Sequence, residues 1–236
     1  MITTGKFNFI HLHKTGGQFV AKVLSEYFPD CQVLGYHYPR HMLPERCKHL
    51  PIIGFVRNPW AWYVSWYAFN HTRSNGNPLF TVMSNGGRNE FASTLRNMLS
   101  FGDDTPASKS RREQLINLLP DSIEGNISIG LTKHCLAETD GSYYQWLIRR
   151  MFGLDGKYDD VIFGKTETLR EDLLGIMRKL GIDVPEAAKQ FILTAAPVNA
   201  SPHRAYQQYY TESLAQQVAE REAQIIRRFD YNFAAP

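Results

Sequence analysis

The chain has 236 residues, of which 43% are hydrophobic and 21% charged, and its formal net charge is +3. This composition indicates one soluble globular domain; the weak positive charge suits a small anionic ligand and gives no reason to expect nucleic acid as a partner. The three cysteines are scattered along the chain, so we expect no disulfides. The sequence shows no apolar signal peptide and no apolar run of about 18 residues, so we expect neither secretion nor a membrane span. These features together lead us to expect a cytoplasmic protein.

The first 70 residues alternate between apolar strands and helices. Strands are predicted at residues 7–12, 32–36 and 51–56, which are short apolar runs. A helix follows the first strand, and another begins at Pro59 with Asn58 as its N-cap. This alternation predicts an α/β fold with a parallel sheet and helices on both of its faces. Ligands of such sheets bind at the carboxyl ends of the strands.

The middle of the chain, residues 70–126, is rich in turn signals such as Asn-Gly and Asp-Asp-Thr-Pro. We interpret it as a loop-rich insertion within a single domain of residues 1–236, with short helices at 91–99 and 111–119. The insertion could be a lid that binds an acceptor, or an ordinary surface excursion. Regular structure is predicted again beyond it, as helices at 143–152, 169–180 and 211–229 and a strand at 161–164.

A strand, a tight turn and a helix meet in residues 9–19, FIHLHKTGGQF. Gly16 and Gly17 let the backbone turn sharply and approach an anion closely. The N–H groups at the start of a helix face an anion placed there, while Lys14 adds a full charge and Thr15 a hydroxyl donor. A solvated lysine in an ordinary strand-to-helix turn is the alternative. The sequence is not a Walker A loop, because G-x-x-x-x-G-K-[ST] is absent.

The predicted strand at 51–56 is followed directly by Arg57-Asn58-Pro59, and Ser65 lies on the next predicted helix. An arginine at this position can hold a phosphate through two parallel hydrogen bonds, and a serine can add a third donor. The alternatives are a surface salt bridge for Arg57 and close helix packing for Ser65.

Together, these motifs resemble those of the PAPS-dependent sulfotransferase family, in which 3'-phosphoadenosine 5'-phosphosulfate (PAPS) is the sulfuryl donor. The turn is similar to the family's 5'-phosphosulfate loop, often His-Ile-Pro-Lys-Thr-Gly-Gly-Thr. His13 stands where proline is common, and Gln18 where threonine or serine is common. Arg57 and Ser65 match the family's 3'-phosphate segment, in which a serine follows Arg-x-Pro at this spacing. The distance along the chain from the first motif to the second suits the family's shorter, carbohydrate-type members. The resemblance covers both ends of the chain but not residues 70–140.

The resemblance implies a P-loop-NTPase-like fold and transfer of a sulfuryl group from PAPS to an acceptor hydroxyl, with release of PAP and without a metal ion. A carbohydrate is one candidate acceptor, but the sequence does not distinguish a polysaccharide from a small phenol, a lipid or a peptide tyrosine. The oligomeric state also stays open. Lys14 would act catalytically by stabilising charge on the bridging oxygen. The residues implied in donor binding are Lys14, Thr15, Gly16, Gly17, Gln18, Phe19, Arg57, Ser65, His203 and Arg204.

The general base is the least defined part of the site. His37 follows the second predicted strand, and histidine has a suitable pKa, so His37 is the first candidate. His41 and Glu45 are the next candidates, and a purely structural histidine is the alternative. Two other functions also stay open: a nucleotide-dependent kinase-like enzyme, and a non-catalytic module that binds a nucleotide or a glycan on the same fold.

Overall fold

The computed structural model describes residues 1–72, 76–123, 130–137, 139–153, 160–196 and 204–234. The chain divides into two compact units, Met1–Arg57 with Arg149–Ala200, and Asn58–Ile148 with Ser201–Pro236. Within the described ranges, none of the helices is both long enough and apolar enough to cross a membrane. His203, which the sequence places among the donor-binding residues, lies outside the described residues.

The first unit contains a five-stranded sheet in the order β3-β1-β2-β4-β5. The strands are β1 Ile2–Thr3, β2 Asn8–Ile10, β3 Gln32–Val33, β4 Ile52–Val56 and β5 Val161–Lys165. Strands β2, β4 and β5 are parallel, as predicted. Strand β1 was not predicted and runs antiparallel to both β2 and β3. The reversal is possible because Gly5 has a φ of 71° and the Thr4 N–H donates to the Phe7 carbonyl at 3.1 Å.

Helices make up most of the remaining described structure. The α-helices are α1 Gly17–Tyr27, α2 Pro59–His71, α3 Pro78–Met83, α4 Phe91–Leu99, α5 Pro106–Leu118, α6 Tyr143–Phe152, α7 Leu169–Lys179, α8 Glu186–Thr194, α9 Glu212–Arg221 and α10 Ala223–Phe229. Short 3-10 turns occupy Arg40–Met42, Glu45–Cys47, Lys133–Leu136 and Tyr206–Tyr209.

Both faces of the sheet in the first unit are covered, as predicted. One face carries Phe9, Ile53 and Phe55, which are buried against apolar residues of α1, α7 and α8. Alternate residues of a strand point to opposite faces, so Gly54 lies on the other side. There the ring of Phe152, at the end of α6, packs so closely that a Cβ on Gly54 would lie 2.4 Å from it. Glycine at this position therefore allows α6 to approach the sheet.

The second unit has an aromatic core. The rings of Trp62 and Tyr144 stack at 4.4 Å, and Tyr63 is buried beside them. The Tyr63 hydroxyl donates to the Glu222 carboxylate at 2.5 Å. Glu222 is fully buried and separates α9 from α10, so the single helix predicted over residues 211–229 was wrong at this point. The described part of the predicted insertion also belongs to this unit and forms α3, α4 and α5.

Candidate active site

The turn between β2 and α1 has the predicted strand-turn-helix geometry. Lys14 and Gly16 have φ values of 61° and 74°, and α1 begins at Gly17. The left-handed conformation costs a non-glycine residue about 1–2 kcal/mol, so Lys14 is held in a strained position. A Cβ on Gly17 would lie 2.0 Å from Cδ2 of His11, which packs directly on the start of the helix. Glycine is therefore required sterically at position 17.

Two side chains hold carbonyl groups of this turn. The Thr15 hydroxyl donates to the Leu12 carbonyl at 2.9 Å, and Nη1 of Arg57 donates to the Lys14 carbonyl at 3.3 Å. The hydroxyl donor predicted for Thr15 is thus used within the turn in this structure. Arg57 follows the last residue of β4, so the parallel pairing of β2 with β4 brings Lys14 and Arg57 to the same sheet edge.

Three N–H groups of the turn, in contrast, have no acceptor within the part of the chain that the structure describes. Those of Thr15, Gly16 and Gly17 make no hydrogen bond with any residue that the structure describes. Unpaired N–H groups at the start of a helix carry its partial positive charge and form a site for anions. The positive charges of Lys14 and Arg57 adjoin these groups, so this sheet edge is suited to bind a phosphate or a sulfate.

The next two residues of the motif have different roles in the structure. Gln18 is exposed, and its side-chain amide donates to the hydroxyl of Tyr36. Phe19 is buried in the core, and its N–H donates to the Gly16 carbonyl at 2.9 Å. Gln18 can therefore reach a ligand at the turn, whereas the side chain and the N–H of Phe19 are both used within the fold.

Three histidine rings lie together beside the turn. The ring of His37 stacks on that of His13 at 3.6 Å and lies 4.4 Å from that of His11. Nδ1 of His37 donates to the His11 carbonyl at 2.8 Å, and His37 has a φ of 55°. A carbonyl oxygen only accepts hydrogen bonds, so the neutral His37 ring carries its proton on Nδ1 and its lone pair on Nε2.

Burial keeps His11 and His37 neutral. Burial, with the neighbouring His13 acting in the same direction, lowers the pKa of His11 to about 3. Burial also lowers the pKa of His37 well below its ordinary value, with His13 and His11 acting in the same direction. Only the hydrogen bond to the His11 carbonyl opposes this shift among the interactions of its ring. His37 is therefore unprotonated at neutral pH.

We expect the free energy of unfolding to fall when the pH is lowered from 6.5 to 5.5. An unfolded histidine has a pKa of about 6.5, so the unfolded chain binds protons in this interval that His11 and His37 in the folded chain do not. Each ring contributes up to about 1.4 kcal/mol per pH unit. Urea unfolding at several pH values measures this slope, and His11→Asn should reduce it. An equal free energy of unfolding at pH 7.5 and 5.5 would contradict the burial of neutral rings.

Two predicted donor-binding residues belong to the second unit. Ser65 lies in α2 and is 3% exposed, and its hydroxyl makes no hydrogen bond to any described residue. A hydroxyl without a hydrogen-bond partner among the described residues is available to a ligand. Arg204 is exposed and precedes the 3-10 turn at Tyr206–Tyr209.

The two alternative bases are not brought to the turn. His41 lines a cavity together with Ile52, the first residue of β4. The other end of this five-residue strand, next to Arg57, is about 13 Å away at about 3.3 Å per residue. Glu45 is exposed and contacts Lys48 at 2.7 Å. Of the three candidates, His37 is the one that the structure places beside Lys14.

Comparison with known proteins supports the fold. No protein-family model matches the sequence, and no match is found among curated proteins. Among solved structures, the chain is similar to mouse sulfotransferase SULT7A1 complexed with PAP, with a TM-score of 0.54 and 15% sequence identity. The similarity covers 95% of this chain and 86% of the mouse chain. This chain has the sulfotransferase fold. At this identity, the similarity shows the fold alone.

Proposed function

We propose that the chain is a sulfotransferase that moves a sulfuryl group from PAPS to an acceptor hydroxyl and releases PAP. The unpaired N–H groups of Thr15, Gly16 and Gly17, beside Lys14 and Arg57, carry this proposal. They form an anion site at the sheet edge where α/β folds bind ligands. The mouse sulfotransferase with this fold is complexed with PAP, which is the product nucleotide of the proposed reaction.

The donor would bind through both of its charged ends. The turn N–H groups and Lys14 would hold the 5'-phosphosulfate, because helix N-termini and lysine both favour anions. On the resemblance of the sequence motifs alone, Arg57 and Ser65 would hold the 3'-phosphate, with Arg204 and His203 as further contacts. A guanidinium has five N–H donors, so the bond from Arg57 to the Lys14 carbonyl is compatible with a bidentate phosphate contact.

The reaction would be an in-line displacement at sulfur. The acceptor oxygen forms a bond to sulfur while the bond from sulfur to the bridging oxygen breaks, and PAP leaves with the electron pair. Lys14 would stabilise the charge that grows on the bridging oxygen, which helps the transition state more than the ground state. Nε2 of His37, whose lone pair is fixed by the Nδ1 bond, would take the acceptor's proton.

The acceptor is proposed to be a carbohydrate, on the resemblance of the two donor motifs to carbohydrate-type sulfotransferases. A kinase-like enzyme is less well supported, because the turn lacks the Walker A pattern that positions magnesium with a phosphate. A non-catalytic module would bind PAP without transfer. Binding of ATP with magnesium, in the absence of PAP binding, would favour the kinase-like enzyme instead.

Titration with PAP in a calorimeter tests the donor site. We expect micromolar binding to the native chain and an affinity lower by about 10–100-fold in Arg57→Ala, because a charge-assisted hydrogen bond contributes about 1.5–3 kcal/mol. Lys14→Ala should also weaken binding. Arg178→Ala removes the same charge from an exposed position on α7 and should leave the affinity unchanged. Absence of PAP binding, or equal affinity in Arg57→Ala and Arg178→Ala, would contradict the proposal.

A further inference from the structure

Tyr36 lies beside the turn and has no role in the reaction as proposed so far. Its hydroxyl accepts a hydrogen bond from the side-chain amide of Gln18, which lies in the first turn of α1. Its ring packs edge-on against the ring of His37 at 4.3 Å and against that of His11 at 5.4 Å. A single side chain therefore joins the start of the helix to the candidate general base.

Hydrogen bonds on both sides hold the backbone of Tyr36 in place. The N–H groups of the two preceding residues donate to the Met1 carbonyl, at 3.1 and 3.4 Å. The residue that follows, His37, donates through Nδ1 to the His11 carbonyl at 2.8 Å. Because the backbone and the ring are fixed in the free chain, Tyr36 would lose little conformational entropy on contact with a ligand.

The hydroxyl of Tyr36 has a hydrogen that it can donate. A phenolic hydroxyl both accepts and donates, and within the described part of the chain this one donates to no acceptor. Its bond to Gln18 is exposed, so a ligand can reach it. Burial raises the pKa of Tyr36, and the bond from Gln18 opposes this shift without cancelling it. The hydroxyl is therefore protonated at neutral pH and acts as a donor, not as a base.

We propose that the Tyr36 hydroxyl donates a hydrogen bond to the sulfuryl group of PAPS and makes the site prefer PAPS to PAP. This role rests on the proposed function, because PAP differs from PAPS in lacking the sulfuryl group. In an in-line displacement, the entering and leaving oxygens lie on opposite sides of the transferred group. The sulfuryl group would thus lie between the turn and Nε2 of His37. Gln18 and His37, which Tyr36 contacts, border this space.

A neutral donor suits the sulfuryl group better than a second cation. In a loose transition state, negative charge moves from the transferred group to the bridging oxygen. A cation held against the sulfuryl oxygens would therefore stabilise PAPS more than the transition state and would slow the transfer. The Tyr36 hydroxyl supplies a contact without a full charge, while Lys14 stays at the oxygen where the charge grows. The contact should therefore act mainly on the binding of PAPS.

Titration of Tyr36→Phe with PAPS and with PAP, in the absence of an acceptor, tests this role. Phenylalanine keeps the ring that packs on His11 and His37 and removes only the hydroxyl. We expect the affinity for PAPS to fall by about tenfold or more, because a hydrogen bond to an anion is lost, and that for PAP to stay within about twofold. In transfer assays, the KM for PAPS should rise while kcat changes much less.

The matched control is Tyr27→Phe, which removes the hydroxyl of another partly buried tyrosine of the first unit. Tyr27 is the last residue of α1, about 15 Å along the helix from Gly17, and its ring packs on that of Phe191 at 5.5 Å. We expect native affinity for both nucleotides in this variant. Native affinity for PAPS in Tyr36→Phe, or an equal loss in Tyr27→Phe, would overturn the proposal.

A rise in the KM for the acceptor alone in Tyr36→Phe would also overturn the proposal and would assign the hydroxyl to the acceptor. Absence of PAP binding to the native chain contradicts the proposed function itself. Native PAP binding, together with equal PAPS affinity in the native chain and in Tyr36→Phe, contradicts only the role of Tyr36. The two failures are therefore distinguishable.

Discussion

Replacing His37 by alanine should abolish sulfuryl transfer while the affinity for PAP stays within a few-fold of that of the native chain. A positioned general base contributes typically about 10²–10⁴-fold to a rate, and the loss would appear in kcat. The affinity should be retained because the proposed anion site consists of the N–H groups of the turn together with Lys14 and Arg57. None of these groups depends on Nε2 of His37 for its charge.

Asparagine at position 37 separates the chemical role of this residue from its structural one. His37 has a φ of 55°, which asparagine tolerates better than most residues, and its Nδ1 donates to the His11 carbonyl. The amide of asparagine can make the same bond but has no basic nitrogen. We expect His37→Asn to keep the native Tm and PAP affinity and to lose turnover as His37→Ala does.

Transfer rates measured with PAPS and an accepted hydroxyl substrate, across a range of pH, complete the test. A base with a lowered pKa is unprotonated at neutral pH, so native kcat should be level there and fall only when the solution becomes acidic. In His37→Asn the residual rate should lack this acidic limb. Native turnover in His37→Asn would assign His37 to packing and leave the base to another residue.

The fold was largely predictable, because most of its elements have strong local signals. Asn58 caps α2 by accepting from the Trp60 N–H at 3.1 Å, and Pro59 is the first helical residue, as predicted. Strand β1 was missed because it has only two residues, whose pairing depends on the turn at Gly5. The break between α9 and α10 was missed because it is set by a tertiary contact from Glu222 to Tyr63.

The site was predictable only in its backbone outline. Parallel pairing of β2 with β4 places Lys14 near Arg57, and the sequence predicts both strands. The contacts of the side chains could not be predicted from the sequence. The bond from Thr15 to the Leu12 carbonyl and the stack of His13 on His37 arise from the folded geometry, and no spacing in the sequence marks them.

We expect the substitution Gly17→Ala to disrupt the turn more than other single substitutions of similar size within it. A Cβ there would lie 2.0 Å from Cδ2 and 2.4 Å from Nε2 of the His11 ring, and His11 is buried. Overpacking of this kind costs about 1–3 kcal/mol. Because relief of the clash would move the start of α1, the N–H groups would lose their alignment. We expect PAP affinity to fall by about tenfold or more.

The identity of the clashing ring makes a double-mutant cycle the decisive measurement. In the double variant Gly17→Ala, His11→Ala, the smaller side chain at position 11 leaves room for the new methyl group at position 17. The loss of stability in the double variant should be smaller than the sum of the two single losses by about 0.5–3 kcal/mol, measured by urea unfolding. Part of the PAP affinity should return with it. Additive losses would mean that His11 does not set the requirement for glycine.

Gly175→Ala provides the matched control for this cycle. Gly175 lies in α7, its backbone is not in the left-handed region, and a Cβ there would meet no atom within 4 Å. Alanine at an open helical position stabilises by roughly 0.5–1 kcal/mol relative to glycine. The same substitution should therefore raise stability in α7 and lower it at the start of α1. This opposite sign would trace the effect at position 17 to the close approach of His11 rather than to helix propensity.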